Sequence, residues 1–232
     1  MRTSLNPADI LAAIIVEERI SPRFDPREPR VSAIGLCQRK QVFATFHPDK
    51  MPPFPWLYQE SGHALQHRAF LRFKRRYPDA EEEVSVPHPW GTCHPDIWIP
   101  SERMAIQVKT GTQAGVVGKD LKPSHRDQVL LEWALWREAG GCDAEDGVYV
   151  DGVPESYWVL LLSRDDWGGT TAANRVKWNG PRAEHLRARL GQIAAWIEAG
   201  IVPERDLTAP NFECNDRVTG EVLCPCRKEC WS

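Results

Sequence analysis

Apolar positions recur at helical spacing in residues 7–19, 32–46, 56–77, 124–139 and 182–199. They alternate, or run without interruption, in residues 82–89, 92–100, 104–110 and 157–163. The pattern predicts helices first, then three short strands joined as an antiparallel meander, a helix, a buried strand and a last helix. Asn6 with Pro7 is suited to open the first helix, and Ser124 to cap the one at 124–139. Residues 21–30, with three prolines and five charges, read as a connector, and so does the Pro-rich stretch 47–55. The expected organisation is one α/β domain over 1–232: a helical region at 1–78, a core at 79–180, and a C-terminal helix with a cysteine-bearing tail at 181–232. The longest apolar run, residues 10–16, is far short of the roughly 20 residues that span a bilayer, so a soluble, cytoplasmic protein with no membrane partner is expected.

Composition narrows the function. Of 232 residues, 42% are apolar and 26% charged, which supports a continuous core and excludes disorder over most of the chain. Twenty-nine basic against 32 acidic residues leave a net charge of −3, so nucleic acid would have to bind a local patch. The densest such patch is Arg68, Arg72, Lys74, Arg75 and Arg76, on the second half of the helix at 56–77. Ten tryptophans are many for this length. Trp90, Trp98, Trp133 and Trp136 fall near the strands and the helix after them, where core packing or stacking on unpaired bases accounts for them.

Three constellations carry candidate chemistry. Asp96 lies in one predicted strand, and Gln107 and Lys109 in the next, two residues apart and so on one face. A carboxylate, an amide oxygen and an amine on one face suit metal-assisted hydrolysis, although an exposed strand edge has the same pattern. His63 and His67 share a helix face with Gln66 and could supply a metal ligand; a solvated pair is the plainer reading. Of seven cysteines, an odd number, four lie in the last 19 residues: Cys214, Cys224, Cys226 and Cys230. With Cys37, three of them would complete a four-thiolate site for zinc or an iron–sulfur cluster. Cys93 and Cys142 have no such role.

The order of these motifs resembles the PD-(D/E)XK nuclease superfamily. Within it the chain is similar to the RecB-like exonucleases with an iron–sulfur cluster, which include the type-four CRISPR-associated exonuclease and its phage-encoded relatives. The resemblance covers residues 30–230. It rests on the serine-to-cysteine segment ending at Cys37, on Gly62 to Gln66, on Asp96, on Gln107-Val108-Lys109, on Gln128 to Glu132, and on Cys214, Cys224 and Cys230. It implies a mixed sheet flanked by helices, with the N-terminal helical region and the C-terminal tail joined by a [4Fe-4S] cluster. The implied cluster ligands are Cys37, Cys214, Cys224 and Cys230, with Cys226 in reserve. The implied activity is a Mg²⁺- or Mn²⁺-dependent exonuclease on single-stranded DNA or duplex ends.

In that activity Asp96, Gln107, the Val108 carbonyl and His67 or Gln66 hold the ion, Lys109 positions water, and Gln128 supports the site. Oligomerisation, recombination or CRISPR partners, and the host cytoplasm for a phage-encoded protein, follow from the same resemblance. Three departures stand out. The family histidine falls on Gln66, the family glutamate is Gln107, and the tyrosine of the last motif is Glu132. Glu83 or Glu132 is a candidate for the displaced acid. Two other readings are a catalytically silent nucleic-acid-binding homologue and a zinc-binding adaptor.

Overall fold

The computed structural model describes residues 28–35, 37–47, 56–117, 121–143 and 149–204. The helix expected at 7–19 and the cysteines at 214, 224, 226 and 230 lie outside the described residues. The sheet is organised by two eight-residue strands, β5 (Met104–Gly111) and β8 (Ser156–Ser163), which pair parallel along their whole length. A parallel pair cannot be joined by a tight turn. The crossover here is a helix, α4 (Pro123–Ala139), opened by Pro123 in its first turn and closed by Gly140 at φ 78°. Its N-cap is Lys122, without a side-chain cap, and not Ser124 as the sequence pattern predicts. Ser124 instead packs against Gly35, where an added Cβ would stand 2.8 Å from the Ser124 Cα.

The main sheet has the order β1-β4-β5-β8-β9, with β1 (Glu81–Glu82), β4 (Ile97–Ile99) and β9 (Thr171–Val176) all antiparallel to their neighbours. The expected three-strand meander is corrected in two places. Residues 82–89 divide into β1 and β2 (Val86–His88), and residues 92–100 into β3 (Gly91–Cys93) and β4. Strands β2 and β3 form a hairpin outside the main sheet. The first break falls at Glu83, with φ 49°, a backbone conformation that side-chain-bearing residues rarely adopt. The second falls at Pro95, which has no N–H to give to a ladder and restrains the residue before it. Three elements were not expected: β9, the two-stranded ribbon of β6 (Gly141–Asp143) and β7 (Tyr149–Asp151), and the short α3 (Gln113–Val116).

Side chains alternate across the sheet and divide the core in two. Trp98, Ala105, Tyr157, Val159 and Leu161 face α4 and α5 (Gly180–Ala199) in the larger cluster. Ile97, Ile99, Ile106, Val108 and Leu162 face α2 (Trp56–Arg76), meeting Leu65 and Ala69. Helix α5 is capped by the Asn179 side chain and tied to α4 by Arg182, whose guanidinium donates to both Asp127 oxygens at 3.0 and 2.6 Å. The expected helix over 32–46 is interrupted: a 3₁₀ turn at Val31–Ala33 precedes α1 (Gln38–Phe46), and Cys37 is its N-cap. Arg39 on α1 donates to the carbonyl of Pro203 at 2.5 Å, so the chain beyond α5 sets out beside the helix that Cys37 begins. Among the described residues, no helix is long and apolar enough to cross a membrane.

Trp136 joins the crossover helix to the sheet. It is fully buried, its ring lies 4.9 Å from that of Trp98, and its Nε1 donates to Gly152 at 3.0 Å. Trp136→Ala removes the ring and leaves that carbonyl without its donor. We expect it to cost about 3–5 kcal/mol, read from the shift of the urea midpoint.

Candidate active site

On the face of the sheet under α4, Asp96, Gln107 and Lys109 form a polar group beside the apolar cluster. Asp96 sits one residue before β4, not at a strand centre as expected, because the Pro95 break delays the strand. Its Oδ2 accepts two hydrogen bonds, from the Val108 backbone N–H at 2.5 Å and from Gln107 Nε2 at 2.6 Å. Those bonds turn Gln107 Oε1 away, and this buried oxygen has no hydrogen-bond partner among the described residues. Burial pushes the Asp96 carboxyl up to about 7; Lys109 and the Val108 N–H oppose the rise, while Glu132 and Glu83 add to it.

Helix α4 brings three polar side chains onto this face at helical spacing: His125, Gln128 and Glu132. Glu132 is 1% exposed, and both its oxygens are occupied, by Gln128 Nε2 at 2.7 Å and by the Tyr157 hydroxyl at 2.6 Å. Burial raises its pKa, and these two bonds and Lys109 oppose that rise. His125 is held low, at about 4, by burial first and then by Lys109 and Lys122, so its imidazole is neutral at pH 7. Its Nδ1 is buried with no partner among the described residues. Tyr157 and His125 were not singled out from the sequence. A hydroxyl inside an apolar strand must find a partner, and the 125, 128, 132 spacing marks one helix face; both signals were there to be read.

Helix α2 borders the opposite edge of the site. Gln66 Nε2 donates to Glu83 Oε1 at 3.1 Å, and the Glu83 backbone N–H donates to the Asp96 carbonyl at 3.0 Å. His67 points elsewhere, its Nδ1 lying 2.8 Å from Glu82 Oε2. Of the two residues expected to stand in for the family histidine, it is Gln66 that borders Asp96, and it does so through Glu83. His94 is half-buried between Ser85 and Thr92, and burial lowers its pKa against the pull of Glu83.

The expected DNA-binding residues spread along α2. Arg68 lies nearest the site and donates to the Trp167 carbonyl at 3.1 Å. Lys74 bonds the Ala80 carbonyl at 2.7 Å, next to Asp79, which accepts from the Ser101 backbone N–H. Ser101 precedes β5, so Lys74, Arg75 and Arg76 stand near the start of that strand, whereas Lys109 stands near its end. From Gln66 to Arg75 is about 14 Å along the helix. Arg72 is exposed between the two ends. Cys37 is half-buried, and Cys93 and Cys142 are buried thiols.

Among the described residues, no group of three or more His, Cys, Asp or Glu side chains forms a metal site. The Asp96 carboxylate, the unpartnered Gln107 Oε1 and the nearby Glu83 carboxylate nevertheless fit magnesium, which keeps several waters and takes only one or two protein carboxylates.

No family model and no curated protein matches the chain. Solved structures share its fold. A crystal structure described as SSO0001 superposes with a TM-score of 0.58 at 14% identity, over 98% of this chain and 98% of that one. A phage-related exonuclease from Haemophilus somnus 129PT gives 0.53 at 12% identity, over 74% of this chain and 94% of that one. An alkaline exonuclease from Laribacter hongkongensis gives 0.53 at 13% identity, over 76% and 90%. The five-stranded mixed sheet flanked by helices is thus a fold shared with these two exonucleases.

A carboxyl with a folded pKa near 7 and an ordinary unfolded value of 3.8 binds more protons folded than unfolded between those limits. Its contribution to stability is complete below pH 4 and is lost as pH rises through 7. In metal-free protein, Asp96→Asn keeps an acceptor for both N–H groups and carries no charge. We expect the variant to be more stable than wild type above pH 7, by up to about 4 kcal/mol, with the gap closing toward pH 4. Chemical denaturation across pH 4–8 reads this directly.

Proposed function

We propose that this chain is a metal-dependent exodeoxyribonuclease acting on single-stranded DNA or duplex ends. The observation that carries the reading is the convergence of Asp96, Gln107 and Lys109 on one face, with Gln107 Oε1 unpartnered, in a fold that two exonucleases share. Asp96, Gln107, the Val108 carbonyl and Glu83 would hold Mg²⁺ or Mn²⁺, with Gln66 steadying Glu83. When bound, the ion supplies charge for the scissile phosphate and acidifies water. Lys109 orients the attacking water and stabilises the charge that develops as the phosphorus–oxygen bond to the leaving nucleotide breaks. Gln128 and Tyr157 fix Glu132, a buried carboxylate close enough to Lys109 to attract it.

The resemblance also supports a [4Fe-4S] cluster on Cys37 and tail cysteines, Cys214, Cys224 and Cys230, with Cys226 in reserve. The Arg39–Pro203 hydrogen bond is consistent with a tail that starts near Cys37. Such a cluster would be structural, closing a long loop between chain segments.

Gln107 itself favours a second reading. An amide that donates to Asp96 supplies one negative charge fewer than the family glutamate, as a silent DNA-binding homologue would.

Degradation of end-labelled single-stranded DNA by anaerobically purified protein separates the two. We expect cleavage that needs Mg²⁺ or Mn²⁺ and falls about a hundredfold or more in Lys109→Ala. Binding without cleavage, in protein that holds its cluster, would establish the silent homologue. Glu83→Gln is expected to weaken Mn²⁺ binding about tenfold, read by electron paramagnetic resonance independently of turnover. Cys230→Ala is expected to lower the melting temperature while leaving Mn²⁺ affinity near the wild-type value. An unchanged melting temperature would remove Cys230 from the cluster.

A further inference from the structure

Residues 164–170 join β8 to β9 at the end of the sheet where β5 also finishes. Trp167 stands in this loop with 61% of its surface exposed and with φ 53°. Both features are costly: a large aromatic surface is left in water, and a bulky residue holds a left-handed backbone. Trp178 is also exposed, at 40%, but its ring is covered by Arg137 at 4.8 Å and packed edge-on against Trp133. Among the described residues Trp167 has no such cover.

The loop that presents the ring is pinned from every side. Gly168 donates to the Ser163 carbonyl at 2.7 Å, and Ser163 donates to that of Thr170 at 3.0 Å. Thr170 N–H is held by Asp166 at 2.7 Å, while the carboxylate of Asp165 accepts from the Gln113 N–H at 2.7 Å. Arg68 reaches across from α2 to the Trp167 carbonyl. Gly168, at φ 77°, lies against α2, where an added Cβ would stand 3.4 Å from Leu65.

The braced loop also runs beside the end of the strand that carries Lys109. Arg164 donates to the Gly111 carbonyl at 2.8 Å, and Gly111 is two residues past Lys109, about 7 Å along β5. Two acids, Asp165 and Asp166, balance Arg68 and Arg164 around it, so the loop is poorly suited to clamp phosphate and well suited to offer a flat apolar face.

We infer that Trp167 is a stacking platform for an unpaired base of the DNA strand entering the site, braced by Arg68. The inference rests on the nuclease reading for what the strand is, and on the loop for how it is held. Base–aromatic stacking tolerates any sequence, which suits an enzyme that must read through whatever base arrives. A braced backbone leaves only the ring's own rotamers to be fixed on binding.

The test uses the full chain in EDTA and single-stranded oligonucleotides carrying 2-aminopurine at successive positions. Trp167→Ala is compared with Trp167→Asn, since asparagine tolerates the left-handed backbone while removing the ring, and with Trp167→Phe. Wild type should quench 2-aminopurine at one position in the strand. Alanine and asparagine should abolish that quenching and weaken binding about tenfold or more, and phenylalanine should retain most of both. Quenching and affinity that survive both Trp167→Ala and Trp167→Asn would overturn the platform alone. Trp167-dependent quenching in protein that cleaves nothing with either metal would overturn the nuclease reading and leave the platform standing.

Discussion

The parallel pairing of β5 with β8 is the constraint on which the site depends. Two parallel neighbours require the chain to return to the same end of the sheet, and here it returns through α4. That return lays the helix across the face that presents Gln107 and Lys109, so His125, Gln128 and Glu132 reach the strands from above. The same pairing carries Tyr157 in β8 level with Ala105 in β5, where its hydroxyl meets Glu132. A polar face drawn from two strands and a crossover helix is the product of one backbone requirement.

Around that frame, polar groups are held in a shell that leaves one oxygen unspent. Asp96, Gln128, Glu132 and Tyr157 satisfy one another or the backbone, as buried groups must. Among the described residues Gln107 Oε1 and His125 Nδ1 are the exceptions on this face, and Gln107 is bonded to the Asp96 carboxylate, whose ionisation burial opposes. The strained backbone at Glu83 belongs to the same economy, because it lies where a third acid borders Asp96 and not in an ordinary strand.

The long elements were legible from the sequence because their signals are long. Helix α4, strand β8 and the 107–109 pair declare themselves through periodicity over many residues. The short ones were not. Strand β9 reads TAANRV, an edge strand with alternate residues in water, and has little apolar content to mark it. Pro95 was visible, but its effect, splitting one run into strands of two different sheets, depends on tertiary pairing. Of the candidate site, Asp96, Gln107 and Lys109 could be placed together from spacing alone. The approach of Gln66 to Asp96 through Glu83 could not, since it depends on how α2 crosses the sheet. His67 was the more obvious ligand by residue type, and its contact with Glu82 follows from the helix face it occupies.

Glu132 and Tyr157 have one further consequence. The helix position that in the resembled family carries tyrosine is here an acid, and the phenol it bonds comes from a neighbouring strand. Neither residue can drift alone. Phenylalanine at 157 would strand a carboxylate in the core with one donor fewer, and a tyrosine at 132 would set two phenols into space shaped for one. Either single change leaves a buried polar group without the partner that the other supplies.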